Sequence, residues 1–203
     1  MDLTLTIIII TVLASIAAFE SSRIFDRFLL SPYMIVHKNE WYRIITHGFI
    51  HANWAHLLIN MFVFYSFGQA LMHYLYFIGN SITHFLVIYF GGMVFATLTT
   101  IVKNRNNSAY RGIGASGAVS AVLFACIFFD PWNKLLFMGI IPVPGIIFAI
   151  LYLAYCSYMS RNSNDNINHD AHLYGAIFGF VYPVLIEPDL LKYFINMLMN
   201  PFN

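Results

Sequence analysis

Long runs without a charged side chain alternate with short polar segments along the chain. Because a helix rises about 1.5 Å per residue, crossing roughly 30 Å of hydrocarbon takes about 20 mostly apolar residues. Five runs stand out, at 3–19, 44–102, 112–129, 135–160 and 171–186. The second is too long for one crossing, and the turn-forming segment 76–81 predicts a reversal that leaves spans at about 55–75 and 83–102. The pattern therefore predicts an all-α polytopic membrane protein, a bundle of six transmembrane helices.

Two segments outside these spans mix charged residues with large apolar ones. This mixture is typical of chain lying in the membrane interface. We see no internal repeat and no second domain, which predicts one membrane domain over 1–203. Its parts are a first span at about 1–19, a membrane-associated first loop at 20–54, spans two to six within 55–186 and an interfacial tail at 187–203. The lack of Lys or Arg before the first span favours a retained anchor over a cleaved signal peptide.

Composition narrows the class of protein further. Charged residues make up 9% and hydrophobic residues 60% of the 203 residues, and the mean hydropathy is +0.71. Too few charges remain to solvate a globular surface, which excludes a water-soluble enzyme. A net charge of +1 without any Lys/Arg run gives no footprint for nucleic acid. Cys126 and Cys156 lie in apolar runs, where a thiol usually behaves as a small buried hydrophobe.

Polar side chains cluster at the N-terminal ends of the even-numbered spans, which all point the same way through the membrane. They are His56 and Asn60 on span two, Ser116 on span four and His172 on span six. Such residues are costly in hydrocarbon, so they are expected to face the bundle interior or a wet cavity. His56 and Asn60 are i and i+4, and therefore share one helix face.

Small residues follow both Ser116 and His172 at helical spacing. They are Gly117, Ala121 and Ala125 on span four, and Gly175 and Gly179 on span six. Small residues at this spacing let membrane helices approach closely, which favours a contact between Ser116 and His172. Histidine suits the role of a base that activates a serine hydroxyl. Asn60, His56 and the backbone N–H of Ser116 could then stabilise the developing oxyanion.

The residues alone leave other functions open. A structural polar network or a ligand site would use the same side chains. A metal could bind His47, His51 and His56, but no thiolate or carboxylate lies among them and the His-Glu-x-x-His arrangement is absent. A transporter could use helix breaks at Gly91-Gly92 or at 142–145, but no repeat relates the two halves.

Three segments on spans two, four and six carry a family resemblance. They are His51 through His56 to Asn60, Gly114-Ala115-Ser116-Gly117, and Ala171-His172 followed by Gly175 and Gly179. In this order they resemble the His-x4-His-x3-Asn, Gly-x-Ser-Gly and sixth-helix motifs of the rhomboid family of intramembrane serine proteases. The resemblance runs from about Trp41 to Gly179.

The resemblance implies a role for each of these residues. Ser116 would be the nucleophile and His172 the base of a dyad without an aspartate, which needs neither a cofactor nor a metal. His56 and Asn60 would line the oxyanion site together with Ser116. Arg43 would hold the first loop in place. The glycines of the motifs, Gly114, Gly117, Gly175 and Gly179, would support the site structurally.

The chain also departs from the family pattern at two positions. Many members carry an aromatic residue one turn after the nucleophile, packed on the catalytic histidine, and here that residue is Ser120. A glutamate common near the end of span two is missing around Met72. Neither position belongs to the dyad, so both bear on the support of the histidine and on helix stability.

The resemblance implies that the partners are the lipid bilayer and transmembrane protein substrates, cut in or near their membrane segments. It implies a multi-pass protein of the bacterial inner membrane, with the active site opening to the extracytoplasmic side. The distribution of Lys and Arg opposes this orientation, because all ten except Lys134 and Lys192 lie on the side of the proposed site. The alternative is a non-proteolytic polytopic membrane protein, either a pseudoprotease-like substrate binder or a transporter.

Overall fold

Among the residues that the structure describes, three helices are long and apolar enough to cross a membrane. The structure is a computed structural model that describes residues 2–137, 140–162, 165 and 167–201. The three helices are α1 (Leu3–Glu20), α5 (Trp54–Tyr76) and the continuous helix Ser81–Asn104, in which α6 (Ser81–Leu86) and α7 (Gly92–Asn104) are joined by a π-helical turn. Asp2 caps α1 by accepting hydrogen bonds from the first free N–H groups, and Asn53 caps α5 in the same way.

The predicted reversal between the second and third spans lies where the sequence indicates. Helix α5 ends at Tyr76 and α6 begins at Ser81. Gly79 and Asn80 both adopt positive φ, 86° and 49°, in the turn between them. Glycine reaches this region without steric cost and asparagine with little, so this pair breaks the long apolar run into two helices.

The first loop is a folded segment of short helices. They are α2 (Ser22–Phe28), α3 (Pro32–Lys38), α4 (Arg43–Thr46) and a 3₁₀ turn at His47–Phe49. Ser21 and Ser31 cap α2 and α3 through their hydroxyl oxygens, and Asn39 ends α3 in the left-handed conformation. The loop is joined to the chain before Ser116 by a bridge between Leu30 and Gly112, with N···O distances of 2.8 and 3.0 Å.

Helix α8 (Ser116–Phe129) is the centre of the bundle. All thirteen residues from Gly117 to Phe129 are buried. Its small residues bring the neighbouring helices close, since a Cβ on Gly92 of α7 would collide with the side chain of Ala121. Cys126 lies 3.1 Å from the backbone oxygen of Phe67 on α5, and therefore ties the two helices together. Helices α5, α7, α9 (Gly145–Asn162) and α10 (His169–Ile186) pack around α8.

A β-hairpin corrects the prediction of a purely helical chain with a fifth span at 135–160. Strands β1 (Lys134–Phe137) and β2 (Ile141–Pro144) pair antiparallel, and α9 begins only at Gly145 and ends at Asn162. The residue before a proline is disfavoured in the helical conformation, so Ile141 and Val143 stay extended before Pro142 and Pro144. A short exposed hairpin tolerates both prolines. The fold is therefore mostly helical, with one small sheet.

The last two helices form a bent pair. Helix α10 (His169–Ile186) and helix α11 (Leu190–Met199) meet at 118°. The hydroxyl of Tyr193 donates to the oxygen of Phe129 (3.1 Å), so α11 lies across the end of α8 that is remote from Ser116. If the pair counts as one span, four segments in the described part of the chain can cross a membrane by length and composition. Helix α8 is only about 21 Å long, which is shorter than the roughly 30 Å of hydrocarbon that a span must cross. The count of six spans therefore stays a prediction.

Candidate active site

Ser116 is the first residue of α8 and is held by the chain that precedes it. The bridge from Gly112 to Leu30 fixes this chain to the first loop, and the N–H of Gly114 donates to the oxygen of His47 (2.9 Å). The Ser116 side chain is half-buried. Because the first N–H groups of a helix have no partner within it, this end of α8 offers donors and a positive dipole end.

His56 lies directly beside the turn before Ser116. Gly114 has φ +105°, a conformation that only glycine adopts without strain. A Cβ at this position would lie 2.6 Å from Cε1 and 2.8 Å from Nε2 of His56, so the absence of a side chain also makes room for the imidazole. The His56 ring is therefore held against the backbone two residues before Ser116.

His172 lies in the first turn of α10, and glycines bring this helix against α8. A Cβ on Gly175 would collide with the carbonyl oxygen of Gly117, and one on Gly179 with that of Ala121. The two helices are thus in backbone contact one residue after Ser116 and three residues after His172. Across the residues that the structure describes, no hydrogen bond joins Ser116 to His172. The hydrogen bond between a nucleophile and its base is often long or poorly aligned in a structure without substrate.

An aromatic ring covers His172 from a third helix. Tyr152 of α9 lies nearly parallel to the imidazole, at an interplanar angle of 19° and a centroid distance of 6.4 Å. Its hydroxyl is hydrogen-bonded to the hydroxyl of Ser120, at 3.0 Å. Ser120 is the position at which the sequence departs from the family pattern. The sequence analysis did not identify Tyr152.

His51 is the buried neighbour of His56. Their rings meet edge to face with centroids 4.9 Å apart. The hydroxyl of Ser15 donates to the oxygen of Phe49 (3.1 Å), so Nδ1 of His51 must donate to Ser15 (3.0 Å). Burial, and to a lesser degree the neighbouring His56, lowers the pKa of His51 to about 3. His51 is therefore neutral, and its buried Nε2 is an acceptor without a partner among the described residues.

Asn60 lies one turn after His56 and is buried. Its Nδ2 donates to the backbone oxygen of His56 at 2.9 Å. An amide nitrogen carries two hydrogens, so one donor remains after this bond. Asn60 therefore keeps the His56 turn in place and retains one N–H.

Arg43 is buried in the first loop and connects three parts of it. Nη1 donates to the backbone oxygens of Asp26 and Leu29, both at 2.8 Å, and Nε pairs with Glu40 at 2.6 Å. The planar guanidinium can serve all three acceptors at once, which an ammonium group cannot do with the same geometry. The loop that carries His47 and His51 is thereby anchored to the turn after α2.

A small cavity adjoins Ser116. It has a volume of about 30 Å³, and its lining includes Ser116, His47, Thr97 and Asn168. This is enough room for a water molecule, and the polar lining supplies partners for one. Asn168 is fixed there by hydrogen bonds from its Nδ2 to Thr100 (2.8 Å) and Tyr110 (3.1 Å).

The three histidines considered for a metal do not converge in the described part of the chain. Nδ1 of His47 donates to the oxygen of Arg43 (2.9 Å), and Nδ1 of His51 is bound to Ser15. The group of side chains within reach of one metal ion lies elsewhere, at Cys156, His169 and His172.

Comparison with known proteins gives one consistent result. The profile of the Rhomboid domain matches residues 38–188. The chain is 32% identical over 150 residues to the putative rhomboid protease YdcA of Bacillus subtilis, covering 74% of this chain and 69% of that protein. It is 29% identical over 186 residues to RHOMBOID-like protein 12, mitochondrial, of Arabidopsis thaliana, covering 81% and 54%. It is 29% identical over 146 residues to rhomboid protease GluP of Bacillus subtilis, covering 72% and 26%.

The chain spans about half the length of the Arabidopsis relative and about a quarter of GluP. The matched region nevertheless includes the candidate site residues Ser116, His172, His56, Asn60 and Arg43. Apolar helices and the family match together establish an integral membrane protein. The chain therefore belongs to the rhomboid family of intramembrane proteases.

Proposed function

We propose that this chain is a serine endopeptidase that hydrolyses peptide bonds in or near transmembrane segments of other membrane proteins. Ser116 is the nucleophile and His172 the general base. The observation that carries the proposal is the backbone contact between α8 and α10 at Gly117 and Gly175. It leaves the hydroxyl and the imidazole on adjoining helix ends, without any bulky residue between the two backbones.

The proposed reaction proceeds in two steps. The Ser116 oxygen attacks the carbonyl carbon of the scissile bond, while its proton passes to His172. His172 then gives this proton to the leaving amine as the peptide C–N bond breaks, which leaves an ester on Ser116. A water molecule, deprotonated by His172, hydrolyses the ester and restores both side chains. The cavity beside Ser116 is the proposed source of this water.

Negative charge on the substrate oxygen needs donors that are already in place. We assign this role to the backbone N–H of Ser116 and to the side chains of His56 and Asn60. His56 lies against Gly114, and Asn60 retains one amide hydrogen after its bond to the His56 backbone. Because His51 is neutral and fixed by Ser15, it supports the His56 ring without adding a charge of its own.

The membrane setting of the proposal is a single domain over 1–203 with six spans. Helices α8, α9 and α10 are the shorter or more polar spans, and α8 is shielded from lipid by its neighbours. Burial in protein is the condition under which irregular or short segments are tolerated at membrane depth. Other membrane-spanning proteins are the substrates, reached within the bilayer.

We further propose that the site opens to the extracytoplasmic side of a bacterial inner membrane. Three of the eight positive charges that argue against this orientation are engaged in structure. Arg43 is buried, Arg111 donates to the oxygens of Ser108 and Tyr110, and Lys103 pairs with Asp170 at 2.5 Å. Reporter fusions after α11 test the orientation, since the site lies at the start of the sixth span and the C-terminus then lies on the opposite side of the membrane.

The test of the proposed function is labelling of the purified, detergent-solubilised protein with a fluorophosphonate, which reacts only with an activated serine. We expect labelling of the wild type and none of Ser116→Ala or His172→Ala. Ser66→Ala is the matched control, because Ser66 is an exposed serine on α5 that bonds only its own helix (Phe62 oxygen, 2.9 Å). Ser66→Ala should label like the wild type.

Two results would contradict the proposal. Labelling that persists in Ser116→Ala would mean that another serine reacts. A wild-type protein that is folded and monodisperse, yet unlabelled, would favour a non-proteolytic substrate binder of the same fold.

A further inference from the structure

Three potential metal ligands meet on the side of His172 that faces α9. They are Cys156 of α9 and His169 and His172 of α10, and one ligand atom from each lies within 4.8 Å of the other two. His169 and His172 are i and i+3, so they project from the same face of α10. Cys156 and His169 are buried and His172 is half-buried.

The orientation of His169 prepares it to bind a metal. Its Nε2 lies 3.1 and 3.2 Å from the carboxylate oxygens of Asp165. A carboxylate accepts, so Nε2 carries the proton and Nδ1 has a lone pair. This Nδ1 is buried without a partner among the described residues, and the side chain is only 3% exposed. A buried acceptor without a donor costs about 1–3 kcal/mol, and a metal ion would remove this cost.

The pairing of Asp165 with His169 is itself typical of metal sites. Histidines that bind a metal usually donate their other ring N–H to a carboxylate, which fixes the tautomer and raises the basicity of the ligand. The site therefore has the outer carboxylate of a metal centre as well as its potential ligands. Asp165 precedes α10 and lies four residues before His169, the first residue of that helix, which makes the arrangement local in sequence.

The ligand set identifies the class of metal. One thiolate and two imidazoles suit a borderline-soft divalent ion, above all Zn²⁺. The ligand atoms of a tetrahedral zinc site lie about 3.5 Å apart, so side-chain movements of about 1 Å would close this group around an ion. The Cys156 thiol would lose its proton to solvent as the sulfur–metal bond forms.

We propose that Cys156, His169 and His172 form a zinc site, and that zinc switches off hydrolysis by occupying the lone pair of His172. The inhibitory part rests on the proposed function, in which His172 takes the proton of Ser116. A histidine bound to zinc cannot accept that proton. The metal site is therefore regulatory, and the hydrolytic reaction itself proceeds in the metal-free protein.

The test is a titration of the purified, chelator-treated full chain with Co²⁺ and then Zn²⁺. Thiolate ligation of Co²⁺ gives a charge-transfer absorption in the near ultraviolet, which Zn²⁺ should abolish by displacement. We expect this absorption in the wild type and its loss in Cys156→Ser. His169→Gln should weaken metal affinity by at least about tenfold. Cys126→Ser is the matched control, since Cys126 is the other buried free cysteine and lies on α8.

The same samples are labelled with the fluorophosphonate at increasing Zn²⁺. Zinc should suppress labelling of the wild type and of Cys126→Ser, and should have much less effect on Cys156→Ser. Absence of the charge-transfer band in folded wild type would overturn the metal site. Equal suppression by zinc in Cys156→Ser would overturn its inhibitory role. Failure of the proposed function is distinct from both, because it would abolish labelling at every zinc concentration and leave the Co²⁺ spectrum unchanged.

Discussion

The ring of Tyr152 lies parallel to the imidazole of His172 across the boundary between α9 and α10. The hydroxyl of Tyr152 is hydrogen-bonded to Ser120, the position at which the sequence departs from the family pattern. In this chain the ring comes from α9, and Ser120 holds it in place from α8. Under the proposed function, Tyr152 is therefore a positioning residue for His172.

Tyr152→Leu should lower the rate of fluorophosphonate labelling and of substrate cleavage by about tenfold, because His172 loses the surface that restricts its rotation. The effect should fall on kcat more than on KM, since Tyr152 orients the base. Cleavage of a membrane protein substrate in detergent, measured across substrate concentrations, separates the two constants.

Tyr152→Phe is the informative comparison for this prediction. It keeps the ring and removes the hydroxyl that is bonded to Ser120, so the loss should be a few-fold. Ser120→Ala removes the same bond from the other side and should match it, and the double variant should cost no more than either single one. Full activity in Tyr152→Leu would show that His172 is positioned without this ring.

Gly175→Ala tests the contact that brings the two helix ends together. In an isolated helix this change gains about 1 kcal/mol of helix stability. Here the added Cβ collides with the carbonyl oxygen of Gly117, which is backbone and cannot rotate away. We expect the clash to cost more than the gain, about 1–3 kcal/mol, with a lower Tm and loss of labelling.

Gly145→Ala is the milder comparison for this experiment, because the nearest atoms to its added Cβ lie 3.3 Å away, a tight contact without the overlap at Gly175. Its Tm and labelling should stay near the wild-type values. A Gly175→Ala protein with wild-type Tm and labelling would mean that α8 and α10 do not need backbone contact.

The sequence predicts where the helices begin and end better than it predicts which side chains of neighbouring helices contact each other. Ser116 and His172 could be placed at helix starts because small residues follow both of them at regular spacing. The contact of Tyr152 with His172, and the approach of Cys156 to His169, depend on how α9 is rotated against α10. Helix α9 carries apolar residues on all sides, so its sequence contains no signal for this rotation.

The missed hairpin has a different cause. Segment 134–144 contains no charged residue after Lys134, and counting uncharged residues cannot distinguish a buried helix from a short strand pair. The signal was present in Pro142 and Pro144, whose spacing excludes the middle of a helix and favours an edge strand. The reversal at 76–81 could be predicted because it also contains residue types with a special backbone preference. Gly79 and Asn80 readily adopt positive φ.

Arg43→Gln should loosen the first loop. It removes the charge that pairs with Glu40 and the donors to the oxygens of Asp26 and Leu29, and leaves buried acceptors without partners. We expect destabilisation of about 3 kcal/mol and faster cleavage within 20–54 by an added soluble protease. Arg43→Lys should recover only part of the stability, because an ammonium group cannot reach all three acceptors in one geometry.

Arg27→Gln is the matched control, as Arg27 is an exposed arginine of the same loop. Its Tm and its rate of proteolysis should equal those of the wild type. Equal rates for the Arg43 and Arg27 variants would assign no anchoring role to Arg43.

Acid should destabilise the protein through His47, which is buried beside Ser116. Burial lowers its pKa from 6.5 to about 4. Between these values the unfolded chain binds a proton that the folded chain does not, so the free energy of unfolding falls as the pH decreases from 6.5 towards 4. For His47 alone the loss between pH 7.5 and pH 5 is about 2 kcal/mol, and His51, with a pKa of about 3, adds to it in the same direction.

The measurement is Tm in one detergent at pH 7.5 and pH 5, for the wild type, His47→Gln and His37→Gln. A glutamine does not titrate, so His47→Gln should lose a large share of the acid sensitivity, even if its Tm at pH 7.5 is lower. His37 is exposed, and its replacement should leave the difference between the two pH values as in the wild type. If His47→Gln kept the full acid sensitivity, His47 would not be the buried neutral group, and the loss of stability would have to arise from another side chain.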